Sequence, residues 1–216
     1  MSNVKIGNPS PLGLLSFALT TFVLSLHNGA MGVHFGAPSN VVIGLAMFYG
    51  GICQLLAGMW EYVVGNTFAA TAFSSYGGFW LGYAAIFIPW FGISDAMSEM
   101  TKEEHQHSVA IFLMSWTILT FFLFVGALRK NVGLSVVLGL LDITFIMLTA
   151  GEWTGVAGAT KAGGYFGLFT SIAAWYTGFS ILYADQPNIV QFPNPSLAPK
   201  IPKSAQYDEE AAVGAN

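Results

Sequence analysis

The chain has 216 residues, of which 54% are hydrophobic and only 8% charged, with a formal net charge of −4. A soluble domain carries about 25% charged residues, so this composition excludes a surface that faces water throughout. Seven Lys and Arg scattered along the chain exclude a nucleic-acid-binding face, and a single cysteine, Cys53 in an apolar run, excludes a disulfide framework or a cysteine-based metal site.

Six apolar stretches follow one another: Leu12–Val33, Val41–Val64, Phe68–Ile88, Ser108–Leu128, Val132–Ala150 and Ala162–Ala184. Each is near the roughly 20 residues a helix needs to cross a bilayer core. They are too long and too evenly apolar for the roughly ten-residue alternating strands of a membrane barrel. Backbone polar groups must find partners inside lipid, so the expectation is an all-α integral membrane protein with six transmembrane helices. Lys5 before the first stretch resembles a signal-peptide flank, but Thr20, Thr21 and Ser25 interrupt the run and five stretches follow, so it is read as a retained helix. Lys5, Arg129, Lys130, Lys200 and Lys203 fall on one side of the membrane and only Lys102 and Lys161 on the other, which puts both termini in the cytoplasm. The expected organisation is a short cytoplasmic N-terminus over 1–11, a six-helix transmembrane domain over 12–184, and a proline-rich cytoplasmic tail over 185–216 that is disordered.

Local signals refine this outline. Ser10-Pro11 suits a helix start, with the hydroxyl as cap and proline in the first helical position. In Gly65-Asn66-Thr67, Gly65 can close the second helix in a left-handed conformation while Asn66 or Thr67 caps the third, giving a tight hairpin. Gly77-Gly78 has two readings, close helix packing or a bend beside a pathway. The tryptophans, Trp80 among them, read as interface anchors.

Polar groups at membrane depth are expensive and therefore informative. Gln54 and Glu61 lie seven residues apart on one helical face, as do Ser135, Asp142 and Thr149. Thr20, Thr21, His27 and Asn28 mark the first span, Thr67, Thr71, Ser74 and Ser75 the third, and Thr170, Thr177 and Ser180 the sixth. Nearly every span owns a mildly polar stripe with little charge, which suits a narrow wet path lined by hydroxyls, amides and rings. Glu61 has a plain alternative, snorkelling to water or capping a neighbour. Asp142 is either protonated, bonded to a neighbouring hydroxyl, or part of a proton relay. His105-x-His107 lacks a third ligand, so no metal is expected. No nucleophile elbow, zinc-protease or Walker motif occurs, so neither an enzyme nor a cofactor is expected.

Asn8-Pro9-Ser10-Pro11-Leu12-Gly13-Leu14 resembles the N-P-[AS]-P-L-G-L signature of the acetate uptake transporters, also called succinate–acetate permeases. Tyr49-Gly50-Gly51-Ile52-Cys53-Gln54 with Met59-Trp60-Glu61, and Gly65-Asn66-Thr67-Phe68 with Thr71 through Trp80, look like that family's next two blocks. The wording is closest to fungal members, which carry a longer polar N-terminal region than the few residues before Asn8 here. The resemblance implies a six-helix protomer with its own pore, assembled as a homohexamer in the plasma membrane. It also implies a constriction at Phe17, Tyr76 and, by alignment of the fifth helix, Leu141. Asp142 beside that constriction departs from the family pattern. The implied substrates are acetate and related short carboxylates such as succinate, carried in a channel-like, proton-linked manner. Glu61 and Asp142 are the proton-coupling candidates. Asn28, Tyr49, Gln54, Thr71, Ser74 and Ser75 are the candidate substrate-binding residues. The rival readings are a pathway for ammonium or another small solute, and a non-transporting membrane sensor of acid stress.

Overall fold

The structure, a computed structural model, describes residues 6–186 and 190–199. Seven α-helices run in order: α1 Ser10–Asn28, α2 Val41–Val63, α3 Thr67–Phe87, α4 Ile93–Ser98, α5 Lys102–Ala127, α6 Val132–Thr154 and α7 Ala157–Leu182. Among the described residues there is no strand, only an isolated antiparallel bridge between Asn131 and Ser196. Helices α1, α2, α5 and α6 are long and apolar enough to cross a membrane. The other two long helices, α3 and α7, have 21 and 26 residues and carry the hydroxyl and glycine content that lowers their hydropathy.

Caps and turns explain most boundaries. Gly65 takes a φ of 80° and Asn66 accepts a hydrogen bond from the Ala69 N–H at 3.4 Å, so the α2–α3 hairpin forms as its three residues dictate. Asn131 caps α6 by accepting from Leu134 N–H at 2.8 Å, and Thr101 and Glu104 form a reciprocal capping box on α5. Ser10 is not the cap of α1. The Asn8 side chain accepts from Ser10 N–H at 3.0 Å, and the Ser10 hydroxyl turns instead to the Glu61 carboxylate. Helix α1 also stops at Asn28, short of Val33, because Ala30 and Gly32 take φ of 56° and 83°.

Glycines set the helix spacing. Gly77 lies where a Cβ would come within 2.8 Å of Leu55 N, and Gly164 where one would collide with the backbone of Gly29. Helix α3 runs unbroken through Gly77-Gly78, so close packing, not a bend, accounts for Gly77. The irregularity falls on α2 instead, where Phe48–Cys53 winds as a π-helical segment containing Gly50 and Gly51.

Helices α1, α3 and α6 meet in a buried cluster that includes Phe17, Tyr76, Phe79, Trp80, Leu141 and Phe145. Trp80 is 2% exposed, packed against Phe79 and Tyr83, and so is not an interface anchor. Trp60, Trp90 and Trp153 are exposed, in keeping with that role. The stretch 190–199 departs from the expectation of a disordered tail. It lies across the start of α6, with Pro195 accepting from Val132 N–H at 3.0 Å and Lys130 accepting from Leu197 N–H at 3.0 Å. Asn194 accepts from Gly133 N–H, and Pro193 from the Tyr176 hydroxyl at 2.8 Å. Lys5, Lys200, Lys203 and the acidic Asp208-Glu209-Glu210 lie outside the described residues.

Candidate functional site

Among the described residues, three cavities with overlapping walls follow one another along the bundle. The largest, about 300 Å³, opens towards the end carrying His105 and Glu152, and is walled by Asn28, Ser25, Thr144, Trp80, Tyr83 and Phe145 among others. The second, about 20 Å³, is walled by Leu14, Gln54, Ala72, Phe73, Leu134, Val137 and Leu138. Phe17, Tyr76 and Leu141 belong to both walls, so these three side chains lie where the wide chamber and the water-sized one adjoin, at a junction called the neck below. The third cavity, about 100 Å³, shares Leu14, Ala72, Phe73 and Leu134 with the second and reaches Ser10, Asn66, Lys130 and Asn131 at the other end.

The side chains at the neck are held by identifiable contacts. Phe17, Tyr76 and Leu141 are 5%, 4% and 3% exposed. The Phe17 and Tyr76 rings tilt against each other at 5.7 Å between centroids, and the Tyr76 hydroxyl lies 3.0 Å from Thr120 Oγ1 on α5. Phe79 lies at the centre of further ring contacts with Phe112, Trp116 and Phe145. Such edge-to-face and stacked pairs fix ring orientation beyond what area burial alone would do.

The candidate polar residues divide. Asn28 walls the large cavity, and Gln54 walls the small one, 1% exposed with its Oε1 buried and without a hydrogen-bond partner. Tyr49, Thr71, Ser74 and Ser75 wall none of the three cavities. Thr71 is exposed and donates to Thr67 O at 2.9 Å, and Ser74 faces Gly58 in the α2–α3 contact. The helical repeat explains Thr71 and Ser74: with Ala72, Tyr76 and Phe79 turned inward, both fall more than about 90° away from the middle of that face, whereas Ser75 neighbours it at helical spacing. Glu61 does not snorkel. It is 1% exposed and held by the Ser10 hydroxyl. Asp142 is 8% exposed with Oδ1 buried and unpartnered, adjacent in sequence to the neck residue Leu141 but in none of the three cavity walls.

Sequence reading missed Thr120, Phe79, Trp80 and Tyr83. For the last three a signal existed: Tyr76, Phe79, Trp80, Tyr83 and Phe87 recur at helical spacing and continue the neck's face along α3 into the large cavity.

Comparison with known proteins agrees with this architecture. Residues 1–199 match the GPR1/FUN34/yaaH family. The chain belongs to this family. Among its relatives, acetate permease A of Emericella nidulans is 45% identical over 193 residues, 85% of this chain and 64% of that protein. Ammonia transport outward protein 2 of Saccharomyces cerevisiae is 44% identical over 82% of this chain and 61% of its own length. The chain thus spans less than two thirds of these two fungal relatives. The succinate-acetate/proton symporter SatP of Escherichia coli is 36% identical over 86% of this chain and 94% of that one. The solved structure of the bacterial acetate channel SatP superposes with a TM-score of 0.76 at 34% identity, covering 89% of this chain and 99% of that one. Within the family, the chain is an all-helical membrane protein.

Proposed function

We propose that the chain folds as a six-helix transmembrane protomer with its own pore, and that it conducts acetate and related short carboxylates, succinate among them, in a channel-like and proton-linked manner. The neck carries this reading: Phe17, Tyr76 and Leu141 separate two cavities in a chain whose relatives include an acetate permease and a succinate-acetate/proton symporter. Both termini and the Lys130 end of the bundle face the cytoplasm, and the His105 end faces outward, across the plasma membrane. Six protomers assemble around a shared axis, each keeping its own path.

Chemistry favours this assignment. Rings and aliphatic groups at the neck strip water from a small solute, and Asn28 on one side and Gln54 on the other offer replacement hydrogen bonds. No Lys or Arg walls the neck, so a carboxylate is held weakly and released readily, as throughput requires. An acid with a pKa near that of Glu, about 4.3, is mostly ionised at neutral pH, so protein-dependent uptake rises as the external side is acidified.

Reconstituted protein should take up labelled acetate faster than protein-free liposomes, and faster still with an inward proton gradient. An acidic residue at Phe17 or Tyr76 should lower that rate by at least about tenfold, because an unpaired charge at membrane depth costs roughly 2.5–3.5 kcal/mol and repels the substrate's own charge. Protein that inserts normally but shows no acetate flux in either condition would refute the reading. A second reading, passage of ammonia, is favoured by one observation: the cavity beyond the neck is the size of a single water. Competition of ammonium with labelled acetate in counterflow separates the two.

A further inference from the structure

We propose that His105 on α5 and Glu152 on α6 form a charge filter at the mouth of the 300 Å³ cavity. The Glu152 carboxylate holds back anions at neutral pH, and a proton taken up by His105 on acidification offsets it. This rests on the carboxylate reading above, with the His105 end outward. It adds a pair of residues that governs entry, well before the neck is reached.

Charge is scarce along this path. The large cavity is walled by apolar, hydroxyl and amide groups, and His105 and Glu152 are the only residues of its wall whose side chains carry charge near neutral pH. Ser94, Met97 and Thr160 join them from α4 and α7. His105 is exposed in the opening turn of α5, and Glu152 is half-buried in the closing turn of α6. The Glu152 carboxylate feels the His105 charge across the gap between the two helices.

Helix stability does not account for the pair. A helix favours anions at its N-terminus and cations at its C-terminus. Here the cation-forming side chain opens α5 and the carboxylate closes α6, each at the end that opposes its charge. The start of α5 is already satisfied by the capping box of Thr101 and Glu104. The two helices are clasped at this end by another pair, His107 stacked on Trp153 at 5.1 Å between centroids. Two charges that serve neither their own helix nor this clasp, yet share the wall of a cavity, are placed to act on what enters it.

Other charged and titratable groups at this end lie outside the cavity wall. On α5, Glu104 is bound to Thr101, and Lys102 and Glu103 are exposed. On α4, Asp95 and Glu99 are exposed, as is His34 in the α1–α2 connection. Lys161 on α7 lies over the Phe35 ring at 5.2 Å, and His27 on α1 is half-buried outside the wall. Helix α3 contributes only the Tyr76 and Tyr83 phenols. The mouth's own charge is therefore set by two side chains: negative with His105 neutral, balanced with His105 protonated. Imidazole is the side chain that changes charge between about pH 5 and 8. Across about 6 Å of water, one unit charge alters the local concentration of a monovalent anion about threefold. The pair thus tunes entry and does not block it.

The test follows labelled acetate at low concentration into cells that express the full chain and hold it in one orientation. Rates are corrected for cells without the chain and for the amount of protein in the membrane. Acetate's own protonation changes with external pH equally for every variant, so ratios to wild type isolate the mouth. His105→Gln fixes that position as neutral, and His105→Arg fixes it as charged. At about pH 5.5, His105→Gln should be about threefold slower than wild type and His105→Arg equal to it. At about pH 8, His105→Gln should equal wild type, while His105→Arg and Glu152→Gln should each be about threefold faster. A merely structural role for His105 would move both of its variants the same way at every pH. Ratios that do not change with pH, or Gln and Arg variants that move together, would overturn the proposal. So would the absence of a gain in Glu152→Gln at the higher pH, a result that leaves His105 untouched. Wild-type uptake no greater than in cells without the chain would instead overturn the carboxylate reading on which the proposal stands.

Discussion

Thr120 has no exposed surface, and its hydroxyl is the partner that holds the Tyr76 phenol in place at the neck. Thr120→Val keeps the shape and removes the partner, leaving a buried phenol unpaired at a cost of about 1–3 kcal/mol. The expected outcome is a lower melting temperature in detergent together with a changed ratio of acetate to succinate uptake, because a loosened ring alters the neck's width. Thr120→Ser restores both, which a purely volumetric role would not predict. The family resemblance singles out Phe17 and Tyr76 as candidates, but no sequence signal singles out Thr120. Thr117, Thr144, Thr170 and Thr177 each donate to the carbonyl four residues back, the usual solution for a hydroxyl in an apolar helix. Which threonine reaches across to a neighbouring helix depends on how helices α3 and α5 are rotated, and no local pattern encodes that rotation. The same holds for Ser10, whose position reads as a cap but whose hydroxyl serves Glu61.

At the scale of elements, adjacent glycines in α3 have opposite tasks. A Cβ at Gly77 would come within 2.8 Å of Leu55 N and 3.0 Å of Gly51 O, both backbone atoms that cannot step aside. One at Gly78 would meet nothing within 4 Å. Gly77→Ala is therefore expected to destabilise by about 1–3 kcal/mol through overpacking. Gly78→Ala should stabilise by about 0.5–1 kcal/mol, because alanine loses less backbone entropy in a helix interior. Thermal unfolding of the two single variants in the same detergent checks the contrast, and equal shifts of the same sign would contradict it. The all-helical character and the α2–α3 hairpin were legible, because apolar length and the Gly65-Asn66 turn are local properties. The roles of Gly77 and Gly78 were not, because two identical residues differ only by the turn of about 100° that points one at α2 and the other away. The π-helical segment over Phe48–Cys53 was equally hidden, since a single widened turn leaves composition unchanged.

Across the whole molecule, the chain's last described stretch ties the ends of two helices, α6 and α7, together. Composition makes 185–216 look unstructured, yet 190–199 borrows its order from a template, the Lys130–Gly133 turn, and from Tyr176 on α7. Prolines suit this strap: Pro193 and Pro195 have no N–H to satisfy and present carbonyls to their neighbours. The turn it holds includes Lys130 and Asn131, which wall the 100 Å³ cavity, so the strap bears on both stability and that cavity. Comparing a chain ended at Pro199 with one ended at Asp185 isolates its contribution. Four partly exposed hydrogen bonds, each worth the low end of about 0.5–1.5 kcal/mol net, give roughly 2 kcal/mol, or a drop of about 4–8 °C in melting temperature. If flux per folded protein survives that drop, the strap is a structural tie and the helical core conducts alone. If flux falls while the melting temperature holds, the Lys130 turn governs exit from the neck. A sensor, by contrast, would lose its signal on truncation and show no acetate flux in either form.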